Sequence, residues 1–218
     1  MPKPSLSKAL FLIITLVAWS CMPPATQAGP ESLDGVSLAP GSAELLAESP
    51  FTQATFNYST QPDKMLVFVS FVPGYGPRTQ LSVGLFGDGR LVFKEIKAGK
   101  TIEETVQLTD GDLESILRLV VNFGLAEWDM TRVRAQQLEK NNGNIYGGIS
   151  SDSTHTTVLI SLENYRRGTL ALDHLEAVVR FQGPFQANEL YPPILEIRGI
   201  VELSRLTRSL KGKDKDLK

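Results

Sequence analysis

Residues 79–95 read Thr-Gln-Leu-Ser-Val-Gly-Leu-Phe-Gly-Asp-Gly-Arg-Leu-Val-Phe-Lys-Glu, and this stretch decides the fold class. Leu81, Val83 and Leu85 alternate with Gln80, Ser82 and Gly84, the period of two that buries one face of a strand. Gly87-Asp88-Gly89 then supplies the positive backbone angles of a hairpin turn, and Leu91 and Phe93 return on the partner strand. The unit is an antiparallel hairpin.

Upstream, residues 65–71 form an apolar strand centred on Val67, Phe68 and Val69, stopped by Pro73-Gly74-Tyr75-Gly76-Pro77. Downstream, a short strand over 101–107 leads to a helix opening at Leu108-Thr109. Thr109 with Asp112 has the form of a capping box. Leu113, Ile116, Leu117, Val120 and Val121 keep the spacing of one buried helical stripe, and Gly124 closes the helix. Residues 129–153 hold little apolar content and read as an extended loop, with a helical turn or two at most over 132–140. Alternation resumes over 154–162, a polar turn occupies 163–168, and 168–172 reads as the partner strand. Residues 178–181 fit a short strand or a helix end equally well. Pro192-Pro193 opens a C-terminal helix over 194–206, with Ile197, Ile200 and Val201 inward. Strand and helix runs in this order predict an α+β fold: an antiparallel sheet of about four or five strands, with two helices packed on one face.

The ends of the chain carry other signals. Lys3 and Lys8 precede an apolar run over 9–19, too short to span a bilayer as a mature helix, so residues 1–28 are expected to be a secretory signal peptide. Thr26-Gln27-Ala28 fits a cut after Ala28. Ala18-Trp19-Ser20-Cys21 is the alternative, a lipobox with lipidation at Cys21, although Trp19 is bulky for that motif. The first cut gives a free periplasmic or secreted protein and the second one tethered to the envelope. Residues 29–50, rich in Gly, Pro, Ser and Ala, are expected to be a flexible leader. Residues 51–208 form the single domain and 209–218 a disordered charged tail.

A cut after Ala28 leaves 190 residues with 20 basic and 24 acidic side chains, no footprint for nucleic acid. It also removes the one cysteine, and with it thiolate catalysis, thiolate metal sites and disulfides. Contact with a membrane is then expected only through the signal or a Cys21 anchor.

No diagnostic catalytic motif is present. Ser150, Ser151, Asp152 and His155 lie close in sequence, but triads are built from separated segments, and no Gly-x-Ser-x-Gly elbow exists. Asp152, His155, Asp173, His174 and Glu176 offer metal-ligand chemistry, yet adjacent strand residues such as Asp173 and His174 point apart. No cofactor is expected. Tyr75 between glycines and Tyr146 beside Gly147-Gly148 are loop aromatics of the kind binding patches use. The expected function is macromolecule binding without catalysis, by a protein or other macromolecule of the envelope or exterior. A hydrolase or metal-dependent enzyme centred on Asp152 and His155 is the alternative.

The order of features resembles small α+β domains of exported bacterial proteins, and distantly the emfourin-type inhibitors of metalloproteases. It rests on the apolar strand at 67–71, the loop at 74–76, the Gly-Asp-Gly turn at 87–89, the helix opening at 108–113, the Asp-led strand at 152–158 and the Pro-led helix at 193–206. The resemblance implies a fold and a protein-inhibitor alternative, and transfers no inhibitory residue.

Overall fold

The computed structural model describes residues 38–74, 79–140, 143, 152–190 and 194–211, all within the compact unit Ser32–Lys218. The chain is α+β. Its elements are α1 (Ser42–Ala47), β1 (Thr55–Asn57), β2 (Met65–Val72), β3 (Gln80–Phe86), β4 (Arg90–Lys97), β5 (Lys100–Gln107), α2 (Asp110–Asn122), α3 (Met130–Lys140), β6 (His155–Arg167), β7 (Leu170–Gln182), α4 (Pro184–Leu190) and α5 (Leu195–Leu210). A single 3-10 turn, Leu125–Glu127, links α2 to α3.

All pairings are antiparallel. The β3–β4 hairpin keeps the expected register, Val83 opposite Phe93 and Leu85 opposite Leu91, with Gly89 at φ 80° in its turn. β6 is the hub. One of its edges carries β7 along its full length, and the other carries β2 over residues 155–160 and β1 over 163–166. From β7 the sheet therefore runs through β6, β2, β3 and β4 to β5.

Among the described residues the sheet has seven strands rather than four or five. Residues 55–57 add a strand that alternation does not announce, and the strand expected at 168–172 extends as far as Gln182. Residues 163–167, expected as a turn, continue β6, and the reversal is the Gly168-Thr169 turn, with Gly168 at φ 57°. Five α-helices lie among the described residues, and α3 covers residues 130–140 of the stretch expected as loop.

The core lies on one side of the sheet. Val67, Val69, Val83, Leu85 and Leu91 from the strands meet Ile116 of α2 and Leu203 of α5 around one small gap, so both long helices cover the same face as expected. α2 begins where Thr109 Oγ1 accepts the Asp112 backbone N–H at 3.1 Å and donates to its carboxylate at 2.7 Å, an N-cap in which Asp112 answers the Thr109 hydroxyl rather than its backbone N–H.

α5 crosses α2 at Gly199, where a Cβ would stand 2.4 Å from the Cβ of Phe123. Alanine normally stabilises a helix by about 1 kcal/mol relative to glycine, but overpacking a core costs roughly 1–3 kcal/mol. Phe123 is fully buried and has nowhere to retreat. Gly199→Ala is therefore expected to lower stability by about 1 kcal/mol net; a thermal midpoint equal to or above that of the parent would refute this close crossing.

The polar segment before the domain joins the fold from residue 38 onward. Glu202 of α5, buried, accepts the Ala39 backbone N–H at 3.1 Å and the Ser42 hydroxyl at 2.6 Å. Arg198 donates to the Pro40 carbonyl at 2.6 Å. Residues 38–50, placed in the flexible leader by composition, are thus clipped to α5. Ser209 and Leu210 end that helix rather than start a tail, and Lys211 pairs with Glu95.

Candidate binding face

The two tyrosines singled out by sequence, Tyr75 and Tyr146, lie outside the described residues, as does Cys21. Asp152 and His155 are both exposed. They stand at the start of β6, beside the end of β2, where His155 is the register partner of Val72. A Cβ on Gly74 would fall 2.5 Å from the backbone carbon of Asp152, so glycine is what lets the loop leaving β2 pass against this turn. Behind it, the buried Ser153 hydroxyl donates to Gln186 Oε1 of α4.

The metal constellation does not assemble. His155 is opposite Gln182, which puts His174 eight positions along β7, about 26 Å away at 3.3 Å per residue. Asp173 instead pairs with Arg166 at 3.2 Å, and His174 with Glu176 at 3.1 Å. Among the described residues no three His, Cys, Asp or Glu side chains are grouped to hold an ion.

What the sequence reading missed is the other side of the sheet. Registers across six strands align its outward residues in rows. One row runs Val178, Leu159, Phe68, Gly84, Val92, Thr105. The next runs Arg180, Thr157, Ser70, Ser82, Lys94, Glu103. The first is apolar over four of its six positions. Val178 is 52% exposed, and Leu159, Phe68 and Val92 are partly so. Gly84 interrupts the row, and its missing side chain leaves room for the Phe86 ring and the Met65 sulfur, 3.2 and 3.5 Å from where a Cβ would sit. Arg90 lies 5.1 Å over that Phe86 ring and forms an ion pair with Asp88 at 2.6 Å, which closes the apolar strip on one side. The signal is present in residues 65–72: Leu66, Phe68 and Val72 are apolar as well as Val67, Val69 and Phe71, so β2 gives only Ser70 as a polar residue to its outward side.

The densest polar cluster is on the core side and is structural. The Glu127 carboxylate accepts the Tyr165 hydroxyl at 2.6 Å and two guanidinium N–H groups of Arg167, from Nε and Nη2. Arg132 donates to the Glu127 carbonyl at 2.9 Å and to Glu196 Oε1 at 2.7 Å. Both guanidinium groups contact the Phe51 ring, Arg132 at 5.3 Å and Arg167 at 5.0 Å from its centre. The Arg167 hydrogen bonds hold the Glu127 carboxyl below the usual carboxylate range, with the Tyr165 hydroxyl acting the same way. Burial pushes the Tyr165 phenol well above its ordinary value, and the Glu127 carboxylate adds to that. A phenol held protonated against a carboxylate is a fixed hydrogen bond and no acid or base near neutral pH.

No helix among the described residues is long and apolar enough to cross a membrane. Comparison with models of protein families and with curated proteins finds no match for this chain.

Proposed function

We propose that this chain is an exported, non-enzymatic binding domain that docks a protein partner on the open face of its sheet. The observation that supports this reading is the row Val178–Leu159–Phe68–Val92, apolar side chains brought into line by strand register on the side away from the helices. Single exposed apolar residues are ordinary on a protein surface, but contiguous ones rimmed by polar groups mark recognition sites. Here the rim is the parallel row of Ser82 and Thr157 with Lys94 and Arg180, in which Ser70 is buried. Tyr75, one residue past Gly74, and Tyr146 keep their proposed part as additional aromatic contacts. The resemblance to emfourin-type inhibitors supplies one partner class to try first, a metalloprotease. Export and release by a cut after Ala28, or anchoring at Cys21, belong to the same proposal.

The test is a pair of threonine replacements, Phe68→Thr with Val92→Thr, which keep β propensity while removing apolar surface. Partner recovery from the exterior and envelope fractions of the native host is expected to fall roughly tenfold or more, since a central apolar anchor contributes about 2 kcal/mol or more. Recovery equal to that of the parent, from a variant whose circular dichroism and quantified soluble yield are unchanged, would overturn the open face as the docking site. Tyr75→Ala with Tyr146→Ala reports separately on the loops.

A further inference from the structure

β7 is an edge strand of 13 residues, more than twice the usual length of about 5–6. Among the described residues it pairs with β6 alone. Long exposed edges are templates for adding another strand. From the residues along this edge we infer that the chain forms a two-fold homodimer, in which β7 pairs antiparallel with β7 of a second copy and Val178 lies on the axis.

Register decides this. A two-fold perpendicular to the sheet keeps the helix layers of both copies on the same side, so residues of one face must meet residues of that face. The axis then passes through a residue. With the axis at Val178, Glu176 stands opposite Arg180 of the second copy, and the same pair repeats across the axis. Placing the axis at Glu176 or Arg180 sets like charges opposite each other, which destabilises a sheet. An axis at Ala177 or Val179 leaves Glu176 and Arg180 unmatched.

The side chains agree with the Val178 register. Arg180 is exposed and has no ion-pair partner among the described residues, while Glu176 has only His174 at 3.1 Å. Val178, the most exposed large apolar side chain of β7, meets its own copy. On the core side Ala177 meets Val179, and Leu175 meets Phe181. The apolar row of each copy then continues through the axis into that of the other, Val92–Phe68–Leu159–Val178 followed by its reverse. The opposite edge, β5, is shorter at eight residues, and its exposed Ile102 is set among Lys100, Glu103 and Glu104, charges of the kind that blunt an edge.

Sedimentation and light scattering on the full chain test the inference independently of any partner. The parent is expected to run at twice the chain mass at micromolar concentration. Glu176→Arg alone and Arg180→Glu alone each create two like-charge pairs, and both variants are expected to run at the monomer mass. Glu176→Arg together with Arg180→Glu restores both pairs and is expected to recover the dimer. A monomeric parent across the accessible concentrations would overturn the dimer. Single variants that dimerise as the parent does, or a double exchange that stays monomeric, would overturn the Val178 register. Phe68 and Val92 lie at least two strands from this edge, so loss of partner recovery without loss of the dimer bears on the docking face alone.

Discussion

Glu127→Ala is expected to lower the free energy of unfolding by about 3 kcal/mol, the low end of the loss from breaking a buried ion pair. The low end applies because the Arg167 side chain keeps 31% of its exposure and the Glu127 side chain 12%. Alanine strands two donors at once: the Tyr165 hydroxyl, on a residue with no exposure, and the Arg167 guanidinium. Neither pairs with another carboxylate among the described residues. Tyr165→Phe removes only the hydroxyl and is expected to cost about 1 kcal/mol. Urea titrations of the two variants should keep that order, and an alanine variant no weaker than the phenylalanine variant would show that the ion pair contributes little.

The same carboxylate ties stability to pH. Its folded pKa is held below the unfolded value by Arg167, so its contribution is fully present above the unfolded value, about 4.3 for a glutamate. The contribution disappears as the pH falls through the lower folded value. Stability of the parent should drop through this acid range more steeply than that of Glu127→Gln, which cannot lose a charge. Parallel curves for the two would place the acid loss on other carboxylates.

How far local sequence could be read follows from where alternation holds and where it slips. The β3–β4 hairpin was legible because Leu81 to Phe93 keep one phase through a turn whose glycines and aspartate have clear backbone roles. β6 and β7 change phase partway. In β6 the buried positions run Thr156, Val158, Ile160, Leu162 and then Tyr165, with Asn164 at φ 49° between the two series. In β7 Leu172 packs on the core, and so does Leu175 three residues later. A period of two read from sequence stops at that slip, which is why 163–168 looked like a turn and the long strand like two fragments. α3 was illegible for another reason. Its two buried side chains are Val133 and Gln137, and a stripe in which every second member is polar has no hydrophobic period.

Contacts that couple distant segments were out of reach as well. Nothing local to residues 38–50 says that Ser42 will meet a buried Glu202, 160 positions away. The binding face shows a middle case: that β2 is apolar on both phases apart from Ser70 is plain in the sequence. Its neighbours in the row, Leu159 and Val178, become neighbours only through the pairing of β6 with both β2 and β7. Sequence reasoning looked for a site in loops with glycine and tyrosine, whereas the described structure offers one through strand order.

Gly124→Val is expected to destabilise by roughly 3 kcal/mol, from two sources that a second substitution separates. Gly124 ends α2 in the left-handed region at φ 74°, where a side chain costs roughly 1–2 kcal/mol and a β-branched one is a true outlier. A Cβ there would also lie 2.5 Å from Cε2 of Phe51, with two more ring carbons at 2.9 Å. Phe51 is 4% exposed and its ring contacts both Arg132 and Arg167, so moving it disturbs the cluster around Glu127. Overpacking of this kind adds about 1–3 kcal/mol. Phe51→Ala removes the ring, and combined with Gly124→Val it should leave only the backbone strain. The double variant is then expected to be more stable than the sum of the single losses by about the overpacking share, roughly 1–2 kcal/mol. Strict additivity would mean that the valine finds room beside Phe51 and that the whole loss is conformational. Gly124→Asn supplies the matching control, because asparagine tolerates the left-handed region better than valine while still carrying the colliding Cβ.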